Sequence, residues 1–297
     1  MGAELQTVTP AEFTTSDGTR LRLIDEGPSD APVTVVFVHG WTLSKHTWDR
    51  VAAGLPAAAG RNARTLRYDL RGHGDSRPAE PGDATIRCCA DDLAELIADR
   101  VPEGELVLAG HSMGGMTIMA LAEQHPQVFD RVRGVALVAT SSGDLAEPSF
   151  GLPKPGADVF NAGERALRRF LAGAKGERVS GASGWLRPGV RWLLFGKRPQ
   201  PDDVAATASW LAGCHPVSMA GYRESLAAHE RAEALARLED IPTLIFAGLS
   251  DRLTPRDHAE KIAEALPKAE LYLYPGAGHM LPLERTEELT ARLATLL

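Results

Sequence analysis

Apolar runs and segments of helical spacing alternate along most of the chain. Val33–Val38 is an unbroken β-branched and aromatic run, the pattern of a strand covered on both faces. Trp48–Ala59 follows with Trp48, Val51 and Leu55 on one side of a predicted helix. Arg64–Tyr68 predicts a short strand, and Ile86–Val101 a helix presenting Leu93, Leu96, Ile97 and Val101. Leu106–Ala109 and Val132–Val138 predict two more buried strands, with a helix over Met116–Gln124 between them. Ahead of this series, Ala11–Thr15 and Arg20–Glu26 flank Ser16-Asp17-Gly18-Thr19, a hairpin signal. Strand–helix alternation of this kind predicts an α/β protein with a mainly parallel sheet, helices on both faces and an antiparallel hairpin at one edge.

The rhythm then stops. Ser141–Asp240 holds no clear buried strand, only helical stretches near Val159–Leu171, Val190–Phe195, Val204–Leu211 and Met219–Ala236. A hundred residues is too long for a plain loop in a compact domain, so 141–240 is expected to be an inserted helical cap. Residues 1–140 and 241–297 would form the core. The alternation resumes with Thr243–Gly248 (strand), His258–Ala265 (helix), Glu270–Tyr274 (strand) and Pro282–Leu297 (helix).

Composition narrows the function. The 297 residues are 44% hydrophobic and 24% charged, ordinary for a globular chain, and the net charge of −7 argues against nucleic acid as a partner. No apolar run reaches membrane-span length, no secretory signal opens the chain, and three cysteines make no disulfide framework, so a cytoplasmic location is expected. The 141–240 segment carries eight of the 17 aromatics, among them Phe150, Phe160, Phe170, Phe195, Trp185, Trp192, Trp210 and Tyr222. Trp185, Trp192, Trp210 and Tyr222, with Met280, are expected to line an apolar substrate pocket. Arg165–Arg198 holds nine Lys/Arg against one acid, Glu177, and reads as a solvated face.

The chemistry centres on Gly110-His111-Ser112-Met113-Gly114, a G-x-S-x-G motif between a strand and a helix. The turn is so tight that positions two before and two after the serine must lack bulk. Ser112 would thereby project its hydroxyl at a helix N-terminus, where developing negative charge is favoured. A serine needs a base. His279 follows Pro275-Gly276-Ala277-Gly278 just past a predicted strand and is the choice among nine histidines. Asp251, in the loop after Thr243–Gly248, is the expected acid, with Asp144 as rival. Backbone N–H groups of Trp41 and Met113 would hold an oxyanion. His39 and His111, in the glycine turns beside the nucleophile, would shape those loops and border the pocket. Asp69 and Asp75 would pair with Arg71 or cap turns.

Together these blocks resemble the α/β-hydrolase family in its cap-bearing serine esterase or lipase-like branch. They are His39-Gly40-Trp41, Asp69 to Ser76, Gly110 to Gly115, Asp251 and Gly278-His279. The resemblance implies an eight-stranded, mostly parallel sheet, a cap between the sixth and seventh strands, and neither cofactor nor metal. It implies hydrolysis of a small-molecule carboxylic ester or thioester through an acyl-enzyme. Carbon–carbon bond hydrolysis, perhydrolysis and acyl transfer or cyclisation on the same triad are the alternatives, and a non-catalytic ligand receptor is the alternative from another class. Serine at position 112 separates the chain from epoxide-hydrolase and haloalkane-dehalogenase relatives, which place aspartate there.

Overall fold

The computed structural model describes residues 10–80, 82–146 and 183–297, together with the isolated positions Lys154 and Ala162. Eight strands form one sheet: β1 (Pro10–Thr14), β2 (Arg20–Glu26), β3 (Val33–Val38), β4 (Arg64–Tyr68), β5 (Glu105–His111), β6 (Val132–Val138), β7 (Thr243–Gly248) and β8 (Glu270–Tyr274). Their order across the sheet is β1-β2-β4-β3-β5-β6-β7-β8. β1 pairs antiparallel with β2 and β2 with β4. Every other pairing is parallel.

Alternation along the central strands sorts side chains onto two cores. Val36, Val38, Leu108, Val135, Leu137 and Ile245 face one side. There they meet α2 (Ile86–Arg100), through Cys89, Leu93 and Leu96, and α3 (Met113–Gln124), through Ile118 and Leu121. Val35, Phe37, Val107, Ala109, Ala136 and Phe246 face the other side, against Trp48, α1 (Asp49–Ala59) and Leu289 and Leu293 near the C-terminus. Each fully buried Val, Leu or Phe contributes about 1.5–3 kcal/mol relative to exposure, so both faces of the continuous runs are needed. Continuous apolar sequence in β3, β5, β6 and β7 is the direct result.

Between β6 and β7 the described elements are helical: α4 (Arg187–Leu194), α5 (Pro201–Gly213) and α6 (Pro216–Ala227), then a 3-10 stretch at Glu233–Leu238. The expected helix Met219–Ala236 is therefore broken after Ala227. The chain there turns back onto the end of β6: Arg231 N–H donates to Ser142 O at 2.7 Å, and the His229 ring reaches Ser141 O at 3.0 Å. The expected helix Val159–Leu171, the aromatics Phe150, Phe160 and Phe170 and most of the basic stretch lie outside the described residues. After β7 come α7 (Arg256–Ala265), α8 (Leu281–Glu284) and α9 (Thr286–Leu293), so the expected C-terminal helix is interrupted at Arg285.

The parallel strands all end at one edge of the sheet. Gly40-Trp41 follows β3, Ser112 follows β5, Asp251 follows β7 and His279 follows β8. In an open α/β sheet this edge is where ligands bind.

Candidate active site

Ser112 caps α3 with φ 54° and ψ −120°, a left-handed conformation that costs a non-glycine residue about 1–3 kcal/mol. The surroundings enforce it. Ser112 N–H donates to Val138 O at 2.9 Å, and its own carbonyl accepts the Thr140 hydroxyl at 2.7 Å and Gly115 N–H at 2.9 Å. A Cβ on Gly110 would lie 2.5 Å from Gly115 N, and one on Gly114 would lie 2.2 Å from Val38 O. Those two glycines are what let the strand and helix pass so close.

The structure brings the expected base and acid, His279 and Asp251, together. His279 Nδ1 stands 2.7 Å from Asp251 Oδ2, with side-chain exposures of 4% and 0%. Asp251 is held from its other sides as well. Oδ1 accepts Leu253 N–H at 2.8 Å and Thr254 N–H at 3.1 Å, and Oδ2 accepts the Thr254 hydroxyl at 2.9 Å. Burial alone would raise the Asp251 carboxyl. The His279 ring and the Thr254 and Leu253 donors outweigh burial and hold it below the usual carboxylate range. An ionised Asp251 fixes Nδ1 as the protonated nitrogen, which leaves Nε2 free to accept a proton.

His111 joins the base to the elbow. Its Nε2–H donates to His279 O at 2.8 Å, and the two rings lie 4.9 Å apart. Among the described residues the hydrogen bonds of Ser112 are those of its backbone, and its Oγ makes none.

Gly40 lies against the nucleophile: a Cβ there would be 3.0 Å from Ser112 Cβ and 3.1 Å from His111 Nδ1. Among the described residues no turn or loop hydrogen bond uses the amides of Trp41 or Met113. Both remain available as donors. The loop carrying Trp41 is pinned from below. His39 Nδ1–H donates to Gly40 O at 2.7 Å, and His39 Nε2 accepts Leu70 N–H at 3.0 Å. Lys45, almost fully buried, reaches Asp69 at 2.6 Å and Asp75 at 3.0 Å. Of the two expected roles, pairing with Arg71 or capping turns, Asp69 takes the second: it accepts Lys45 N–H at 2.7 Å and Asp75 N–H at 2.9 Å, while the Lys45 ammonium reaches both acids and Arg71 binds Asp92 and Asp17. A lone lysine in an otherwise unremarkable helix start gave no signal of this.

Several expected pocket residues sit elsewhere. His39 and His111 are fully buried, and burial pushes each ring down to about 3, so both are neutral supports of the loops. Tyr222, on α6, is fully buried against α2. Its hydroxyl donates to Arg71 O at 3.0 Å and lies 3.1 Å from Cys89 Sγ, so it anchors α6 to the core and offers no face to a substrate. Trp192 lies under the Arg252 guanidinium, 5.2 Å from its ring centre. Trp185 is 70% exposed and packs in none of the three apolar clusters. Trp210 and Met280 belong with Leu43, Val190, Phe195 and Val204 to a small cluster that joins α4 and α5 to the loops after β3 and β8. The rival acid Asp144 is exposed and bound to Lys261 at 2.5 Å, away from His279. Thr254 and Glu284, both in contact with the acid–base loops, were not singled out by sequence; neither residue belongs to a spaced motif.

This geometry, a strained serine at the end of the central strand with a buried Asp–His pair beside it, defines a class. The sequence model of the alpha/beta hydrolase fold matches residues 33–286, and the chain belongs to that family. A pimeloyl-[acyl-carrier protein] methyl ester esterase of Chromobacterium violaceum is 32% identical over 267 residues, covering 88% of this chain and 92% of that one. A bifunctional esterase/perhydrolase of Acinetobacter calcoaceticus is 28% identical, covering 92% and 94%. An esterase structure from Exiguobacterium antarcticum superposes with a TM-score of 0.76 at 20% identity, over 97% of this chain and 98% of that one, which bears on the fold alone.

Among the described residues no group of three metal-binding side chains is placed to hold an ion, and no helix is long and apolar enough to cross a membrane.

Proposed function

We propose that the chain is a serine hydrolase that cleaves a carboxylic ester or thioester through an acyl-enzyme. His279 Nε2 takes the Ser112 proton as Oγ attacks the carbonyl carbon. Asp251 orients the ring and stabilises it once charged. The Trp41 and Met113 amides hold the oxyanion, each worth on the order of 3 kcal/mol in the transition state. His279 then returns the proton to the departing alcohol or thiol. A water activated by the same nitrogen attacks the acyl carbon, and Ser112 leaves with its proton restored. The segment 141–240 acts as a cap over the serine, with Trp210 and Met280 on the apolar side of the acyl pocket.

The observation that carries this reading is the 2.7 Å His279–Asp251 contact, closed to solvent, beside a serine held at positive φ. Ser112→Ala should abolish turnover of p-nitrophenyl esters while leaving the circular dichroism spectrum unchanged. Unchanged turnover would overturn it. A panel of methyl esters of increasing acyl length measures how far the substrate of the Chromobacterium relative carries over. Perhydrolysis, in which hydrogen peroxide replaces water in the second half, is the second reading, favoured by the Acinetobacter relative's activity. Peroxide-dependent formation of a peracid from an ester separates the two.

A further inference from the structure

The base loop is fastened to one short stretch of the β6–β7 connection. His279 N–H and Met280 N–H both donate to Leu194 O, at 2.8 and 3.2 Å, and Lys197 N–H donates to Gly276 O at 2.9 Å. Glu284 lies between the two chains. Its Oε2 accepts Gly196 N–H and its Oε1 accepts Gly278 N–H, each at 2.9 Å. The backbones touch so closely that a Cβ on Gly196 would lie 2.0 Å from Gly276 O, and one on Gly278 would lie 2.5 Å from Gly196 N. The same helix also reaches the acid's loop, since Arg252 donates to Trp192 O at 2.7 Å.

Glu284 therefore uses both carboxylate oxygens on amides, one in each chain. Asp251 fixes the distance of His279 Nδ1 but not the rotation of the ring about that hydrogen bond. A second fixed point is needed to aim Nε2, and the backbone at Gly278–Met280 is that point. We propose that Glu284 is a positioning residue for His279, acting through Gly278, and that it makes Leu194–Lys197 part of the frame that aims the base. The inference rests on His279 being the base proposed above.

A carboxylate offers acceptors at both ends, whereas a glutamine turns one end into a donor facing an N–H. Glu284→Gln thus keeps the volume and breaks one arm of the clamp. Turnover of p-nitrophenyl butyrate by the full chain should be measured per active serine, titrated with a fluorophosphonate so that the unfolded fraction is removed. Because a displacement of about 1 Å costs roughly 10²-fold, kcat should fall by 10-fold or more with KM within about threefold. The low-field proton resonance of His279 Nδ1–H should broaden. Glu284→Asp, which keeps the charge but shortens the reach, serves if the glutamine variant does not fold, and the same loss is expected. A kcat per titrated serine within twofold of wild type in either folded variant would overturn the proposal. Ser112→Ala is run alongside: turnover surviving there would show instead that the serine assignment has failed.

Discussion

The Asp251 carboxylate and the His279 imidazole meet at 2.7 Å with both side chains almost fully removed from water. Asn at position 251 would offer an amide where the ring needs an acceptor, favouring the wrong tautomer. Asp251→Asn should lower kcat by roughly 10⁴ with little change in KM. Steady-state kinetics on p-nitrophenyl butyrate check this, and a loss below tenfold would contradict the pairing's role.

Gly40 brings the β3 loop against the nucleophile. Alanine there would press on Ser112 Cβ at 3.0 Å and on His111 at 3.1 Å, so the loop bearing Trp41 must shift by a few tenths of an ångström. Gly40→Ala should fold and lose catalysis, with kcat down by roughly 10²-fold or more, the size expected for a displaced oxyanion donor. Gly114→Ala is a different case. Its Cβ would sit 2.2 Å from the Val38 carbonyl, and the expected outcome is loss of folded protein.

Acid should unfold the protein early. Burial pushes His39, His73 and His111 each down to about 3, against an ordinary value of 6.5. Their folded values lie below their unfolded ones, so the unfolded chain binds more protons. Stability is complete above pH 6.5 and falls as pH drops from 6.5 toward 3. Three such rings cost about 4 kcal/mol at pH 5.5, a large share of a typical domain's stability. Urea midpoints measured from pH 8 to pH 5 should fall steeply below pH 6.5; a flat profile would contradict neutral burial of these rings.

Tyr222 tests the distinction between an anchor and a pocket wall. Tyr222→Phe removes the hydroxyl that donates to Arg71 O. Arg71 O keeps its second donor, the His73 ring at 3.0 Å, so the loss is that of one hydrogen bond, about 0.5–1.5 kcal/mol of stability. The kcat/KM for small esters should stay within twofold. A change in ester selectivity at unchanged stability would return Tyr222 to the pocket.

What the sequence could carry depended on how local the constraint was. β3, β4, β6, β7 and β8 lie where the sequence places them, and in β3 and β7 the burial of every residue leaves no exposed position to blur the edge. Ser112 was legible for a similar reason: two glycines at fixed offsets record a backbone contact in the sequence itself. Asp251 and His279 were singled out from their loops after strands, and the structure brings the two side chains together. Tyr222 and Trp192 were expected in the pocket and Lys45 was not singled out, since each is decided by a partner far along the chain: Arg71 and Cys89, Arg252, and Asp69. Aromatic content says how much surface a segment must bury, not toward which neighbour. The helix break after Ala227 has the same origin, for nothing in Met219–Ala236 announces that His229 and Arg231 must return to Ser141 and Ser142.

The most direct measurement is covalent. The full chain is treated with a fluorophosphonate, the modified peptide is identified by mass spectrometry, and residual ester turnover is followed in the same sample. The expected result is one adduct per chain, on Ser112, with turnover falling in proportion to labelling, and a labelling rate reduced by roughly 10³-fold or more in His279→Ala. An adduct on another residue, or full turnover by protein whose Ser112 is completely labelled, would contradict Ser112 as the nucleophile.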